Sequence, residues 1–303
     1  MQCPKLFYYK TILGIATPPT IHTLKGNLAH IAFERLFDHP REERTVAVAC
    51  TYLEPALRTY ELPLASRDSV TCKVEIELRD HDHGWEDGDR TAGPATERRI
   101  EQAELNRQVV AEVGRDLLLE QARETVAGYF KMEDPTVFDP HAREVHVQAA
   151  ALGVQLHGFI DRLDRIKDTA GNERFVVTDY KTGKPAKDDR YLEEKFFQLK
   201  VYALLLRELH GETPALLRLV YTSGAHPDAV RRLVVTDAML DATAKRTKAL
   251  WGAIRSSARN DQWPTKRSAL CDWCFFQDIC PEFNDGAEAL LPEEQRLRHG
   301  LLT

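Results

Sequence analysis

The chain has 303 residues, 43% hydrophobic and 29% charged, with a formal net charge of −6 and a pI near 6.0. That is enough chain and apolar content for a sizeable core, so a disordered chain is excluded. So is a protein that binds polyanions through its overall charge. No apolar run reaches the roughly 18 residues of a membrane span, and MQCPKLFYYKTILGI lacks a secretory leader pattern, so a cytoplasmic protein with no membrane partner is expected.

In chain order, the first feature is Cys3-Pro4 beside the aromatics Phe7, Tyr8 and Tyr9. Residues 21–37 carry Leu24, Leu28, Ile31, Leu36 and Phe37 at helical spacing. In that helix His30 and Glu34 share a face. Residues 43–60 read as helical, with Pro55 starting a helix or kinking one. Strict alternation over 69–78 predicts a strand, and the polar stretch 81–96 a loop. Its His81, Asp82, His83, Asp87 and Asp89 match no metal-loop spacing. A long helix is expected over 97–130, ended by EDPTVFDP.

The second half changes character. Residues 143–149 and 154–166 form an expected hairpin turning at Leu152-Gly153, and 174–180 a further strand after the Gly171-Asn172 turn signal. A helix over 190–209 follows, then strands at 216–222 and 230–236, the second antiparallel to the first. Asp237 is the expected cap of a helix over about 238–258. Cys271, Cys274 and Cys280 close this part as C-x2-C-x5-C, a metal-type spacing. With no secretion signal, the six cysteines do not suggest a disulfide framework. Cys50 and Cys72 read as small core residues.

Chemistry concentrates in LHGFIDRLDRIKDTAGNERFVVTDYKTGK, residues 156–184. Asp161 and Asp179 lie in or at the ends of two antiparallel strands, and Lys181 shares a strand face with Asp179. Two carboxylates brought that close invite a hard cation, Mg²⁺ or Mn²⁺. A lysine beside such a site suits charge building on a phosphoryl group. No G-x-x-x-x-G-K-[ST] phosphate loop is present. Asp164 and Arg165 read as structural ion-pair partners.

Together, GNLAH, GFIDRLDR, VVTDYKTGK and FQLKVYALLL resemble the PD-(D/E)XK nuclease core. More narrowly they resemble the RecB-like exonucleases, which include nuclease domains of the RecBCD and AddAB helicase–nucleases and exonuclease V. The resemblance implies an α/β fold, a central mixed sheet flanked by helices. It would form a single nuclease domain over 1–303: an N-terminal segment (1–40), a mainly helical insertion (41–140), a catalytic core (141–236) and a C-terminal helix with the cysteine cluster (237–303).

The resemblance also implies roles. His30, Asp161 and Asp179 would hold the metal, with Glu144 as a further ligand or supporting group. Lys181 would position or activate the attacking water. Gln198, Tyr202 and Lys184 would hold the DNA strand or shape the site. Cys3, Cys271, Cys274 and Cys280 would hold a [4Fe–4S] cluster, or zinc, stapling the two ends of the chain. The implied activity is metal-dependent DNA exonuclease action on single strands or ends in repair and recombination, with a helicase as a possible partner. A non-catalytic DNA-binding subunit of a helicase–nuclease complex is the alternative, and a zinc-stapled enzyme acting on a phosphorylated small molecule ranks third.

Overall fold

The computed structural model describes residues 3–62, 94–168, 170–185, 189–223 and 229–284. The predicted strand at 69–78 lies outside them, as does all but the end of the 81–96 loop. After a short helix α1 (Pro4–Phe7) and a π turn (Tyr8–Ile12) come α2 (Ile21–Leu36), α3 (Val46–Thr51), α4 (Leu53–Glu61), α5 (Pro94–Val113) and α6 (Arg115–Tyr129). Strands β1 (Ala142–Ala149), β2 (Leu156–Lys167) and β3 (Glu173–Lys181) precede α7 (Asp189–His210). Then come β4 (Leu216–Tyr221), β5 (Val230–Val234) and α8 (Asp237–Asn260).

The five strands lie in sequence order in one sheet. All neighbours are antiparallel except β3 and β4, which run parallel across the α7 connection. This mixed sheet between helical layers is the expected α/β architecture. On one side α7 packs Phe196, Leu199, Ala203 and Leu206 into a core that includes Leu163, Phe175, Val177, Leu217 and Leu219. On the other, α2, α3, α4 and α6 bury Leu28, Phe33, Leu53, Leu57 and Leu118 in a cluster that includes Tyr180 and Val220. Each such side chain contributes about 1.5–3 kcal/mol on removal from water.

Two local expectations are corrected, and the new helix expected at Pro55 is found. The helix over 97–130 is two helices, because Gly114, at φ 90°, turns the chain between α5 and α6. Residues 43–60 likewise split, with Pro55 inside the first turn of α4, where its missing N–H costs no hydrogen bond. The cap of α8 is Thr236, not Asp237: the Thr236 side chain accepts from the Met239 amide.

Candidate active site

Helix α2 delivers His30. Thr20 caps its first turn by accepting from the Thr23 amide at 3.1 Å. Leu24, Leu28, Phe33 and Leu36 turn its apolar face inward. Gly26 lets the helix approach the end of β3: a Cβ there would meet Thr182 Oγ1 at 3.1 Å. One turn further, His30 reaches the sheet where the acids lie.

Two departures from regular strand geometry create that spot. The β1–β2 register pairs Arg143 with Arg162 and Val145 with Ile160, which puts Glu144 across from Asp161. That pair is missing from the ladder, because Glu144 sits in the left-handed region at φ 44°. Such a backbone costs on the order of 1–3 kcal/mol in a non-glycine residue and marks functional sites. The β2–β3 ladder ends at Arg162↔Thr178, while β3 continues alongside β4 to Lys181. The sheet therefore forks between β2 and β3. In the fork Asp161 Oδ2 accepts from the Tyr180 amide at 2.7 Å, a bond the ladder no longer supplies.

Alternation along β2 also breaks here. Gly158 faces α7 against the Tyr202 ring, whereas Arg162, of the same parity, bonds Tyr180 Oη on the α2–α6 side. Asp161 lies between them, at this switch of faces, with the β1–β2 register the same on both sides.

The result is a convergence of His30, Glu144 and Asp161, each with one donor atom within 4.8 Å of the others. His30 Nδ1 is 3.6 Å from Asp161 Oδ2 and 4.0 Å from Glu144 Oε1. Asp179 falls outside that trio. Its Oδ2 lies 2.6 Å from Lys181 Nζ, an ion pair outside hydrogen-bonding angles. Burial first, then the charges of Asp161, Glu34 and Asp179, push the Glu144 carboxyl up to about 8. Burial also raises Asp161 to about 6; His30 pulls it down, Asp179 pushes it up, and the Tyr180 amide and Lys181 lower it. Crowding and burial make charge on these acids costly, and a divalent cation removes that cost. One imidazole and two carboxylates are donors that Mn²⁺ and Mg²⁺ accept, so the residues present fit such an ion.

The model of the PD-(D/E)XK nuclease superfamily matches residues 1–281. The chain belongs to that superfamily. It is thus a nuclease of a class that uses divalent metals. Among solved structures, a protein from Eubacterium rectale carrying a provisional exonuclease name is similar at 18% identity and a TM-score of 0.39. The match covers 70% of this chain and 84% of that one. No curated protein matches the chain.

In this PD-(D/E)XK protein α7, the helix after β2 and β3, carries Gln198 and Tyr202. Gln198 Nε2 donates to Tyr202 Oη at 2.6 Å. Tyr202 is buried, and burial raises its hydroxyl, against the bond from Gln198 and with the charges of Asp179 and Asp161. Lys184 stands exposed just past β3. Asp164 and Arg165 are structural ion-pair partners: Asp164 bonds Arg162 at 2.9 Å, and Arg165 lies 3.6 Å from Glu212.

The two ends of the described chain meet. The Lys5 amide donates to the Pro264 carbonyl at 3.2 Å, and Tyr9 Oη to the Ile279 carbonyl at 2.5 Å. Tyr8, Tyr9, Leu13, Trp263 and Phe276 form a small core there, with Cys274 packed against it. The four cysteines gather at this junction. Burial raises the Cys280 thiol, and the charges of Cys274, Cys3 and Cys271 all add to that rise. Cys3, Cys271, Cys274 and Cys280 are not in disulfides. Cys50 packs partly buried against the helical core.

Sequence reasoning missed Arg162, Tyr180 and Glu133, which line or brace the site. The one available signal was an arginine inside the apolar alternation of GFIDRL. No sequence signal announces the left-handed Glu144.

Proposed function

We propose that this protein is a metal-dependent DNA exonuclease of the RecB-like branch, acting on single strands or strand ends in repair and recombination. The observation that supports this most is the meeting of His30, Glu144 and Asp161 at the β2–β3 fork, beside the Asp179–Lys181 pair. His30, Asp161 and Glu144 would hold Mg²⁺ or Mn²⁺, with Asp179 completing the set. When bound, such an ion polarises a phosphoryl oxygen and lowers the pKa of a bound water.

The chain's own groups do the rest. Lys181 orients the attacking water and donates to the phosphoryl oxygen where negative charge builds. Asp179 holds that ammonium in place. The water oxygen bonds to phosphorus and gives up a proton to solvent, the ester P–O bond breaks, and the leaving oxygen takes a proton from solvent. Gln198, Tyr202 and Lys184 steady the strand.

The cysteine set is assigned to a [4Fe–4S] cluster that staples the chain ends. What supports a shared metal group is that the four thiols lie close enough to raise one another's titration at the junction of the two segments. Anaerobic preparations should be brown and contain iron; a colourless protein with stoichiometric zinc would overturn this part.

The deciding experiment is digestion of single-stranded DNA with one end free and the other blocked, in Mn²⁺ or Mg²⁺. Wild type should degrade it only with the metal, and Asp179→Ala and Lys181→Ala should each lose at least 100-fold. Full activity in both variants would remove the assignment. End binding without cleavage would point to the DNA-binding subunit instead.

A further inference from the structure

The middle residue of the D-x-K segment does more than separate Asp179 from Lys181. Tyr180 is 4% exposed and has three attachments. Its amide donates to Asp161 Oδ2 at 2.7 Å. Its ring meets the His30 ring nearly edge-on, at 6.2 Å and 83°. Its hydroxyl accepts from Arg162 Nη1 at 2.6 Å. One residue therefore touches two of the three converging groups, and its far end is anchored elsewhere.

The anchor is built for rigidity. Arg162 is 1% exposed, although it lies one residue after Asp161. Its guanidinium donates to both Glu133 oxygens, at 2.7 and 3.1 Å, and to Asp164 Oδ2 at 2.9 Å. Arg218 also contacts Glu133. Two arginines and two carboxylates balance in a buried cluster, where loss of any one member leaves an uncompensated charge. The Phe33 and Tyr129 rings close on Tyr180 at 5.0 and 5.5 Å, so its ring has no second place to go.

We infer that Arg162 and Tyr180 are positioning residues, a buried tie that fixes the spacing of His30 and Asp161 across the fork. At the fork the ladder no longer holds β2 against β3, and the Asp161–Tyr180 amide bond and the Arg162–Tyr180 hydroxyl bond span the gap there. Arg162 closes a short loop: it follows Asp161 directly and grips the hydroxyl of the residue whose amide grips Asp161. Supporting groups of this kind set metal affinity without touching the metal, typically by 10–100-fold.

This inference rests on the metal-site reading, and the test separates the two. Mn²⁺ binding is measured by calorimetry on wild type, Asp161→Ala, Tyr180→Phe and Arg162→Lys, with Leu240→Ala as a core-destabilised control away from the site. Wild-type binding that Asp161→Ala abolishes supports the site. Tyr180→Phe, which removes one oxygen atom, is then expected to weaken Mn²⁺ binding about 10-fold, Arg162→Lys by at least as much, and Leu240→Ala only to lower Tm. At saturating Mn²⁺ the kcat of Tyr180→Phe should recover towards wild type. Wild-type Mn²⁺ affinity in Tyr180→Phe, whatever its Tm, would overturn the tie and leave the site intact. No Mn²⁺ binding by wild type would remove both.

Discussion

Gly158 and Tyr202 interlock: a Cβ on Gly158 would overlap the Tyr202 ring and lie 3.0 Å from its hydroxyl oxygen. The glycine of GFID and the tyrosine of FQLKVY are thus one contact. It sets how closely α7 lies on β2, three residues before Asp161. Gly158→Ala should therefore cost about 1–3 kcal/mol from overpacking and reduce cleavage, because the helix must lift or the strand must bend. Tyr202→Phe should cost about 1 kcal/mol through the lost bond from Gln198. A double-mutant cycle on urea unfolding should show clear non-additivity; simple additivity would mean that the two residues do not meet.

Gly26 poses a contest between helix propensity and packing. Alanine in the interior of α2 would gain about 1 kcal/mol. Its Cβ would press on Thr182 Oγ1 at 3.1 Å. The expected outcome of Gly26→Ala is little change in Tm with at least a several-fold loss of activity, since the displaced helix carries His30. Adding Thr182→Ala should restore activity by opening the space. Failure of that rescue would place the defect elsewhere.

The buried charge cluster predicts an acid limit to stability. Burial alone would raise the Glu133 carboxyl, but Arg162 and Arg218 overcome it and hold it below its ordinary 4.5. A carboxylate held low stabilises the fold above about pH 4.5, and that contribution drains away as pH falls through the lowered value. Asp164 is shifted upward, mainly by burial against the pull of Arg162, so its ionisation offsets part of the gain as pH rises. Glu133→Gln should cost about 3–5 kcal/mol at pH 7, and its deficit against wild type should shrink below pH 4. Urea titrations across pH 3–7 would check this; a constant deficit would mean that Glu133 is not ionised in the fold.

The junction of the chain ends predicts coupling between the cysteines and overall stability. With the proposed cluster in place, Cys280→Ser should lose its iron and lower Tm by several degrees, since Cys3 and Cys280 would no longer share it. Tyr9→Phe, which removes the bond to the Ile279 carbonyl, should keep the iron of the proposed cluster and cost about 1 kcal/mol. Iron content and thermal unfolding separate the two effects.

The described helices and strands of the second half were legible because each is written in a few neighbouring residues: alternation in β2 and β3, the Gly171-Asn172 turn, the apolar stripe of α7. The two acids, Lys181 and the C-x2-C-x5-C cysteines were legible as residue types at a spacing, whereas His30 and Cys3 entered through the family resemblance. Two local errors have local causes, since Gly114 could have continued the helix and Thr236 competed with Asp237 for the cap. What the sequence by itself determined is the inventory of strands, helices and candidate ligands, and membership of a nuclease superfamily. Only the tertiary structure decided which of them meet. The left-handed turn at Glu144, the fork between β2 and β3, and the grip of Arg162 on Tyr180 arise where strands and two helix layers compete for the same space. No stretch of a few residues encodes that competition.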